Sequence, residues 1–273
     1  MLEDKFNLSV FINNDGNLFT YGEALCRFLP DLNNKIKHHG GIKHFNNLVG
    51  LTLGTGFGCG IVINNRLLIG DNSDDAAIHN TLNKFNSTWN AEQSVSTRAI
   101  QRVYAASAKL GFSSEIMPKD IYKIAIGRKK GNKEAAIEAF RQFGEGLRSS
   151  IANVTSLVDG IVVIGGGISA AWPLFSPALF KEINRNYQNK EGIPYNRLSF
   201  KVYNLEDENI FTEFAHGNIK ELPVPYSKRT VRYDEIQRIG IGISKLGASK
   251  AIALGAYNYA LQQLGNQNSH NQN

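Results

Sequence analysis

The chain has 273 residues, of which 42% are apolar, 20% charged and 10% aromatic, with a formal net charge of +6. That composition can bury enough surface to offset chain entropy, which argues against disorder, collagen, coiled coil and solenoid for its bulk, and no run approaches the roughly 18 apolar residues of a membrane span. The basic residues are scattered, with short groups at Arg128-Lys129-Lys130 and Lys228-Arg229 and no aromatic-interleaved stripe, so they read as a solvated face or an attraction for anionic substrates, not as a nucleic-acid surface.

Met1-Leu2-Glu3-Asp4-Lys5 lacks the basic and apolar regions of a leader, so a cytoplasmic location is expected, with Cys26 and Cys59 as reduced, buried thiols. The first apolar run, Leu8 to Ile12, reads as a buried strand ending at Asn13-Asn14-Asp15-Gly16. A helix comes next, with Leu18, Phe19, Gly22, Leu25, Cys26 and Leu29 at helical spacing and Pro30 closing it, and Asn33 to Asn47 reads as a connection. From Leu48 the pattern predicts three short strands: Leu48 to Leu53, a run through Ile61-Val62-Ile63, and Arg66 to Ile69. The glycine-rich stretch Gly54 to Gly60 and the hairpin pair Asn64-Asn65 join them.

Helices are predicted from Glu92 through Lys109 and from Lys133 to Val154, the latter with Ala136, Ile137, Phe140, Phe143, Leu147, Ile151 and Val154 as one apolar stripe. Gly160 to Ile164 reads as a buried strand running into Gly165-Gly166-Gly167. Strands at Leu198 to Tyr203 and Thr230 to Tyr233 come next, and a helix from Ser249 to Leu264 precedes a frayed tail, 265 to 273. Strands alternating with helices make the chain α/β, and the hairpin around Gly54 makes its sheet mixed.

Two glycine-rich turns directly after apolar strands carry the strongest chemical signal. Gly54-Thr55-Gly56 can turn backbone N–H groups onto phosphate oxygens with the Thr55 hydroxyl as a further donor, or can be a plain hairpin turn. Gly165-Gly166-Gly167-Ile168-Ser169-Ala170 fits a loose dinucleotide pattern, but Pro173 interrupts the next segment and Glu182 alone stands for the ribose-binding acid. A phosphate-loop lysine is missing too, since Ala248 occupies its place in Gly242 to Ser249. Asn13-Asn14-Asp15, at a strand end, is a natural place for a catalytic base, although taken alone it is more often a turn or helix cap.

The order of these motifs narrows the reading. Asn14-Asp15-Gly16-Asn17, Gly22-Glu23, Leu53-Gly54-Thr55-Gly56-Phe57-Gly58-Cys59-Gly60-Ile61-Val62, Val163-Ile164-Gly165-Gly166-Gly167-Ile168-Ser169 and Ala253-Leu254-Gly255-Ala256 together resemble the ROK family of sugar kinases and repressors along nearly the whole chain. The resemblance implies the ribonuclease H-like, actin-type ATPase fold, a mixed sheet flanked by helices. It also implies ATP with Mg²⁺, a hexose or amino-sugar substrate and a homodimer, with no membrane and no nucleic-acid contact by this chain. Asp15 would take the proton from a sugar hydroxyl, Asn14 would bind the sugar, Gly54, Thr55 and Gly56 would meet the transferring phosphate, and Gly165, Gly166 and Gly167 would lie against the nucleotide. The segments expected are 1–30 as the end of an N-terminal lobe, 31–264 as the C-terminal lobe and 265–273 as the tail.

Three departures qualify this reading. A glutamate and histidine pair common in the family falls on Ala77 and Asn80, with His79 one position away, so a main sugar-hydroxyl acceptor is missing. No cysteine lies between Asn80 and Glu92, so no structural zinc is expected. Glu92 occupies the place of a sugar-touching glutamate, although a helix-start role fits it equally. The expected N-terminal lobe with its phosphate loop is absent, which points to a fragment, a misplaced start or a decaying gene, with weak catalysis from an open site and an exposed apolar face on the last helix. A non-catalytic sugar-responsive protein, regulator or pseudokinase, is the alternative.

Overall fold

The structure, a computed structural model, describes residues 2–270. The chain runs through helices α1 (Leu2–Phe6), α2 (Asp15–Cys26) and α3 (Phe28–His38), strands β1 (Leu48–Leu53), β2 (Phe57–Ile63) and β3 (Arg66–Leu67), and helices α4 (Thr97–Ser107), α5 (Pro118–Ala125) and α6 (Lys133–Leu157). Strand β4 (Ile161–Gly165) comes next, then α7 (Trp172–Ile183), the strands β5 (Asn186–Gln188), β6 (Pro194–Asn196) and β7 (Lys201–Asn204), and α8 (Glu208–His216). The strands β8 (Ile219–Pro223), β9 (Thr230–Asp234) and β10 (Arg238–Ile243) lead to α9 (Ala248–His270).

Six strands form one sheet in the order β3-β2-β1-β4-β10-β7. The first three are antiparallel, with Leu48 opposite Val62 and Leu53 opposite Phe57, while β4, β10 and β7 continue parallel to β1. Both faces are covered, so the central strands are apolar throughout instead of alternating. Leu51, Leu53, Val162, Ile164, Ile239 and Ile241 pack toward α4, α5, α6 and α7, whereas Leu48, Ile161 and Val163 pack toward α2, α3, α8 and α9. On the stripe of α6, Phe140, Phe143, Leu147 and Ile151 are buried, and at about 1.5–3 kcal/mol each their burial anchors the helix. Ile137, expected on that stripe, is exposed.

The helix that carries Asp15 is held close to the sheet by missing side chains. A Cβ on Gly50 or Gly60 would overlap Thr20, so α2 lies directly on β1 and β2, and one on Gly22 would overlap the Ala251 carbonyl of α9. Across α9, Leu254, Tyr257, Leu261 and Leu264 remain exposed.

Several elements differ from expectation. Leu8 to Ile12 forms no strand; no strand among the described residues pairs with it, the Val10 N–H donates to Glu3 Oε1 at 2.9 Å, and Leu8 and Ile12 are exposed. Pro30 does not close α2. It sits in the first turn of α3, where its missing N–H costs no helical hydrogen bond, and α3 fills much of the expected connection. The predicted helix from Glu92 is a short 3-10 turn, Ala91–Gln93, and then α4, capped by Ser96 whose side chain accepts the Ala99 N–H. Pro173 opens α7 instead of interrupting it. The strand at Thr230 leaves the sheet and pairs with β8. Helix α9 runs on to His270, and the rest of the expected tail, 271–273, lies outside the described residues. Cys26 is exposed, and Cys59 is buried.

Candidate functional site

The start of α2 is built by three consecutive polar residues. Asn14 is its N-cap, with Oδ1 accepting the Gly16 N–H at 2.8 Å. The Asn13 Oδ1 accepts from the Asn14 N–H at 2.7 Å and from the Asn17 amide at 3.0 Å. Asn14 therefore spends its side-chain oxygen on the cap and has its amide NH₂ left to offer a ligand. Asp15, the first helical residue, is exposed. The helix start rests on β2: a Cβ on Gly58 would lie 3.9 Å from Gly16 Cα, and one on Gly16 would meet the Cys59 carbonyl oxygen at 2.8 Å.

Strands β1 and β2 join through Gly54-Thr55-Gly56, with the Gly54 N–H donating to the Gly56 carbonyl at 3.1 Å. The Gly54 carbonyl accepts from both the N–H of Thr97, at 2.8 Å, and its hydroxyl, at 3.1 Å, so the start of α4 clamps the turn. Glu92 braces the other side, its Oε2 accepting the Phe57 N–H at 3.0 Å. These contacts leave the N–H groups of Thr55 and Gly56 without an acceptor among the described residues. A Cβ on Gly54 would meet open space, whereas one on Gly56 would stand 3.0 Å from Glu92 Oε2. The turn is a pinned arch with outward donors, a form suited to phosphate oxygens.

The second turn abuts the first because β1 and β4 pair in parallel, Thr52 opposite Gly165. Its three glycines have different jobs. A Cβ on Gly165 would meet the Phe19 ring of α2 at 2.6 Å, so its bareness seats the helix. Gly166 has φ +88°, ψ 171°, and its Cα faces the Leu53 backbone; Gly167 opens on free space. Beside Gly167 and Ile168 lies a cavity of about 310 Å³, walled by Tyr122, Phe140 and Ala171 and carrying Lys119, Lys123 and Arg128.

The structure thus brings Asn14 and Asp15, Gly54 to Gly56 with Glu92, and Gly165 to Gly167 to neighbouring positions at one end of the sheet. Thr97, Lys119 and Lys123 carry no signal in the sequence, and Arg128 stands out there only as part of a short basic group, because only the folded contacts connect them to the turns. Asn83, buried, was also missed: its amide donates to the Asn90 carbonyl at 2.8 Å and to Ser94 Oγ at 2.7 Å, setting the loop that presents Glu92. Ala77 precedes a short 3-10 turn, Ile78–Asn80, which ends on Asn80 and in which His79 is half-buried. Burial, with a smaller push from Asp75, raises the Cys59 thiol to about 12, which leaves no thiolate for nucleophilic work. Among the described residues no group of three or more His, Cys, Asp and Glu side chains stands close enough to hold a metal ion.

A mixed sheet covered by helices on both faces, with a polar helix start and two glycine turns at one end, is the arrangement of the actin-type ATPase fold found in sugar kinases. The chain belongs to the ROK family, whose profile matches residues 1–209. A glucokinase from Parabacteroides distasonis superposes with a TM-score of 0.88 at 44% identity, covering 96% of this chain and 71% of that one. A ROK family glucokinase from Streptomyces griseus, in complex with glucose and AMPPNP, shares the fold at 21% identity with a TM-score of 0.58, covering 96% of this chain and 71% of that one. The xylose repressor of Bacillus subtilis is 24% identical over 199 residues, 72% of this chain and 48% of the repressor. The chain spans about half the length of the curated relatives it matches. No helix among the described residues is long and apolar enough to cross a membrane.

Proposed function

We propose that the chain carries the base and the phosphate turns of an ATP-dependent ROK sugar kinase acting on a hexose or amino-sugar hydroxyl. The observation that supports this best is the adjacency of the Asp15 helix start to two glycine turns, one of them with two unused N–H donors. The likeness to the Parabacteroides distasonis glucokinase adds to it.

In this reading the Asp15 carboxylate accepts the proton of the sugar hydroxyl as its oxygen attacks the terminal phosphorus in line, and ADP departs. Asn14 donates to the sugar through its amide. The N–H groups of Thr55 and Gly56 and the Thr55 hydroxyl hydrogen-bond the phosphoryl oxygens, where charge must be stabilised. Gly54 gives the turn its open approach. Gly165 and Gly166 set the second turn, and Gly167 with the neighbouring cavity receives the rest of the nucleotide. The fit rests on bare surface at Gly54 and Gly167 that a side chain would fill. Bound Mg²⁺ would neutralise phosphate charge, held by phosphates and water. Glu92 can serve the sugar with its second oxygen while the first holds Phe57. Residues 1–30 then close an N-terminal lobe, and the residues from 31 through α9 form the C-terminal lobe. A homodimer, a cytoplasmic location and no nucleic-acid contact by these residues accompany the reading.

A second reading, a sugar-responsive protein without catalysis, draws on the xylose repressors among the relatives and on Ala77 and Asn80. ADP release measured across hexoses, amino sugars and pentoses separates the two. Turnover dependent on at least one sugar supports the kinase; sugar binding by calorimetry with no turnover supports the regulator.

A further inference from the structure

On the face of the sheet opposite the Gly167 cavity, a second cavity of about 270 Å³ lies among α2, α3 and the ends of β7 and β10. Its charged groups are nearly all spoken for. Arg27 pairs with Asp31 at 2.8 Å, Lys35 with Glu208 at 3.4 Å and Lys245 with Glu206. The exception is Glu23, which lines the cavity although it is itself 0% exposed. Its Oε1 accepts the Ser244 hydroxyl, and its Oε2 has no hydrogen-bond partner among the described residues.

A fully buried carboxylate with one unused oxygen is strongly disfavoured unless it is protonated or meets a cation. Each basic side chain of the cavity contacts an acid of its own, and Arg27, paired with Asp31, acts on Glu23 only through its charge. A metal ion fits poorly, since no three acidic or imidazole side chains converge there among the described residues. The remaining wall is hydrocarbon, made by Phe28, Leu32, Leu205, Phe211 and Ile243, with the Lys35 ammonium 4.6 Å from the centre of the Phe211 ring. A monovalent cation with an apolar body matches both features.

We propose that this cavity binds a small protonated amine, with Glu23 receiving the ammonium group and the Phe28, Leu32 and Phe211 wall receiving its hydrocarbon part. The site shares no residue with the Asp15 and glycine-turn region, so it stands independently of the kinase reading. Burial holds the Glu23 carboxyl above its ordinary range, against the Ser244 hydroxyl, the Phe28 amide and Arg27, while Asp31 adds to the rise. Binding of an amine therefore releases a proton from Glu23.

The test is calorimetric titration of the full chain with n-butylammonium chloride, with n-butanol and sodium butyrate as controls. It is run in two buffers of different ionisation enthalpy, at a pH near the ordinary glutamate range. The expected result is saturable binding of the ammonium ion alone, with proton release. Glu23→Gln weakens it by more than about tenfold, the worth of one hydrogen bond to a charged group, and abolishes the proton release. Phe28→Lys, which tethers an ammonium group in the cavity, blocks it. No binding to the unaltered chain, equal binding of n-butanol, or undiminished binding by folded Glu23→Gln or Phe28→Lys protein would overturn the proposal.

Discussion

Glu92 has two candidate roles, brace of the first glycine turn and ligand of the sugar, and a pair of substitutions separates them. Its Oε2 is the acceptor for the N–H of Phe57, a residue 2% exposed, at 3.0 Å. Glu92→Ala orphans that buried donor, for which about 2 kcal/mol is the expected cost. Glu92→Gln keeps an acceptor oxygen and loses only the charge-assisted part of the bond, about 1 kcal/mol. For a protein of this size these become losses in Tm of about 4–8 °C and about 2–4 °C respectively. Thermal unfolding followed by circular dichroism reads both. Calorimetric sugar binding well below the transition then reads the second role: Glu92→Gln should stay largely folded yet bind sugar more weakly. Equal losses of Tm for the two variants, or no loss for Glu92→Ala, would refute the bracing argument.

The same kinds of contact set further expectations. Gly166→Ala places a Cβ at φ +88° against the Leu53 backbone and should cost at least about 1–3 kcal/mol, visible as a lowered urea midpoint; an unchanged midpoint would mean the turn is not held as described. Because burial raises the Glu23 carboxyl above its ordinary value of 4.5, the folded chain holds that proton longer than the unfolded chain. Its contribution is complete below the unfolded value and fades as pH rises through the folded one, so Glu23→Gln should flatten the fall of stability with pH over that window, measured by urea unfolding at a series of pH values. In a thiol titration of the native chain Cys26 should react and Cys59 should not, both reacting once urea unfolds the chain; a native Cys59 that reacts at the rate of Cys26 contradicts its burial.

Sequence reasoning reached the local features of this fold and missed those decided by packing. The β1 turn β2 unit, β4 with its glycine turn and α6 carry long apolar runs or clean helical spacing and stand where the pattern puts them, whereas α9 starts where expected but runs on to His270. Strand β10 was missed because its alternate residues are glycines, Gly240 and Gly242, which make room for Leu205 and the Phe28 ring and so carry no hydrophobic signal of their own. Helix α3 was hidden by Pro30, which looks like a stop until the first-turn position is known. The run Leu8 to Ile12 has strand-like residues but no partner strand among the described residues, and pairing is a property of the folded chain.

The same division holds at the site. Asp15, Gly54 to Gly56 and Gly165 to Gly167 were legible because their order resembles one family. That Gly165 seats Phe19, Gly166 supplies the unusual backbone and Gly167 supplies open surface emerges only from contacts. The clamp of Thr97 on Gly54 joins residues 43 positions apart and leaves no motif.

The central claim, that Asp15 is the base of a sugar kinase, is tested most directly by sugar-dependent ADP formation in the unaltered protein and in Asp15→Asn. The substitution preserves the size of an exposed side chain and leaves the Asn14 cap in place, so the fold should be unchanged. The account predicts a loss of about 10²–10⁴-fold in the sugar-dependent rate with Tm unaltered. Turnover persisting at the unaltered rate would contradict it.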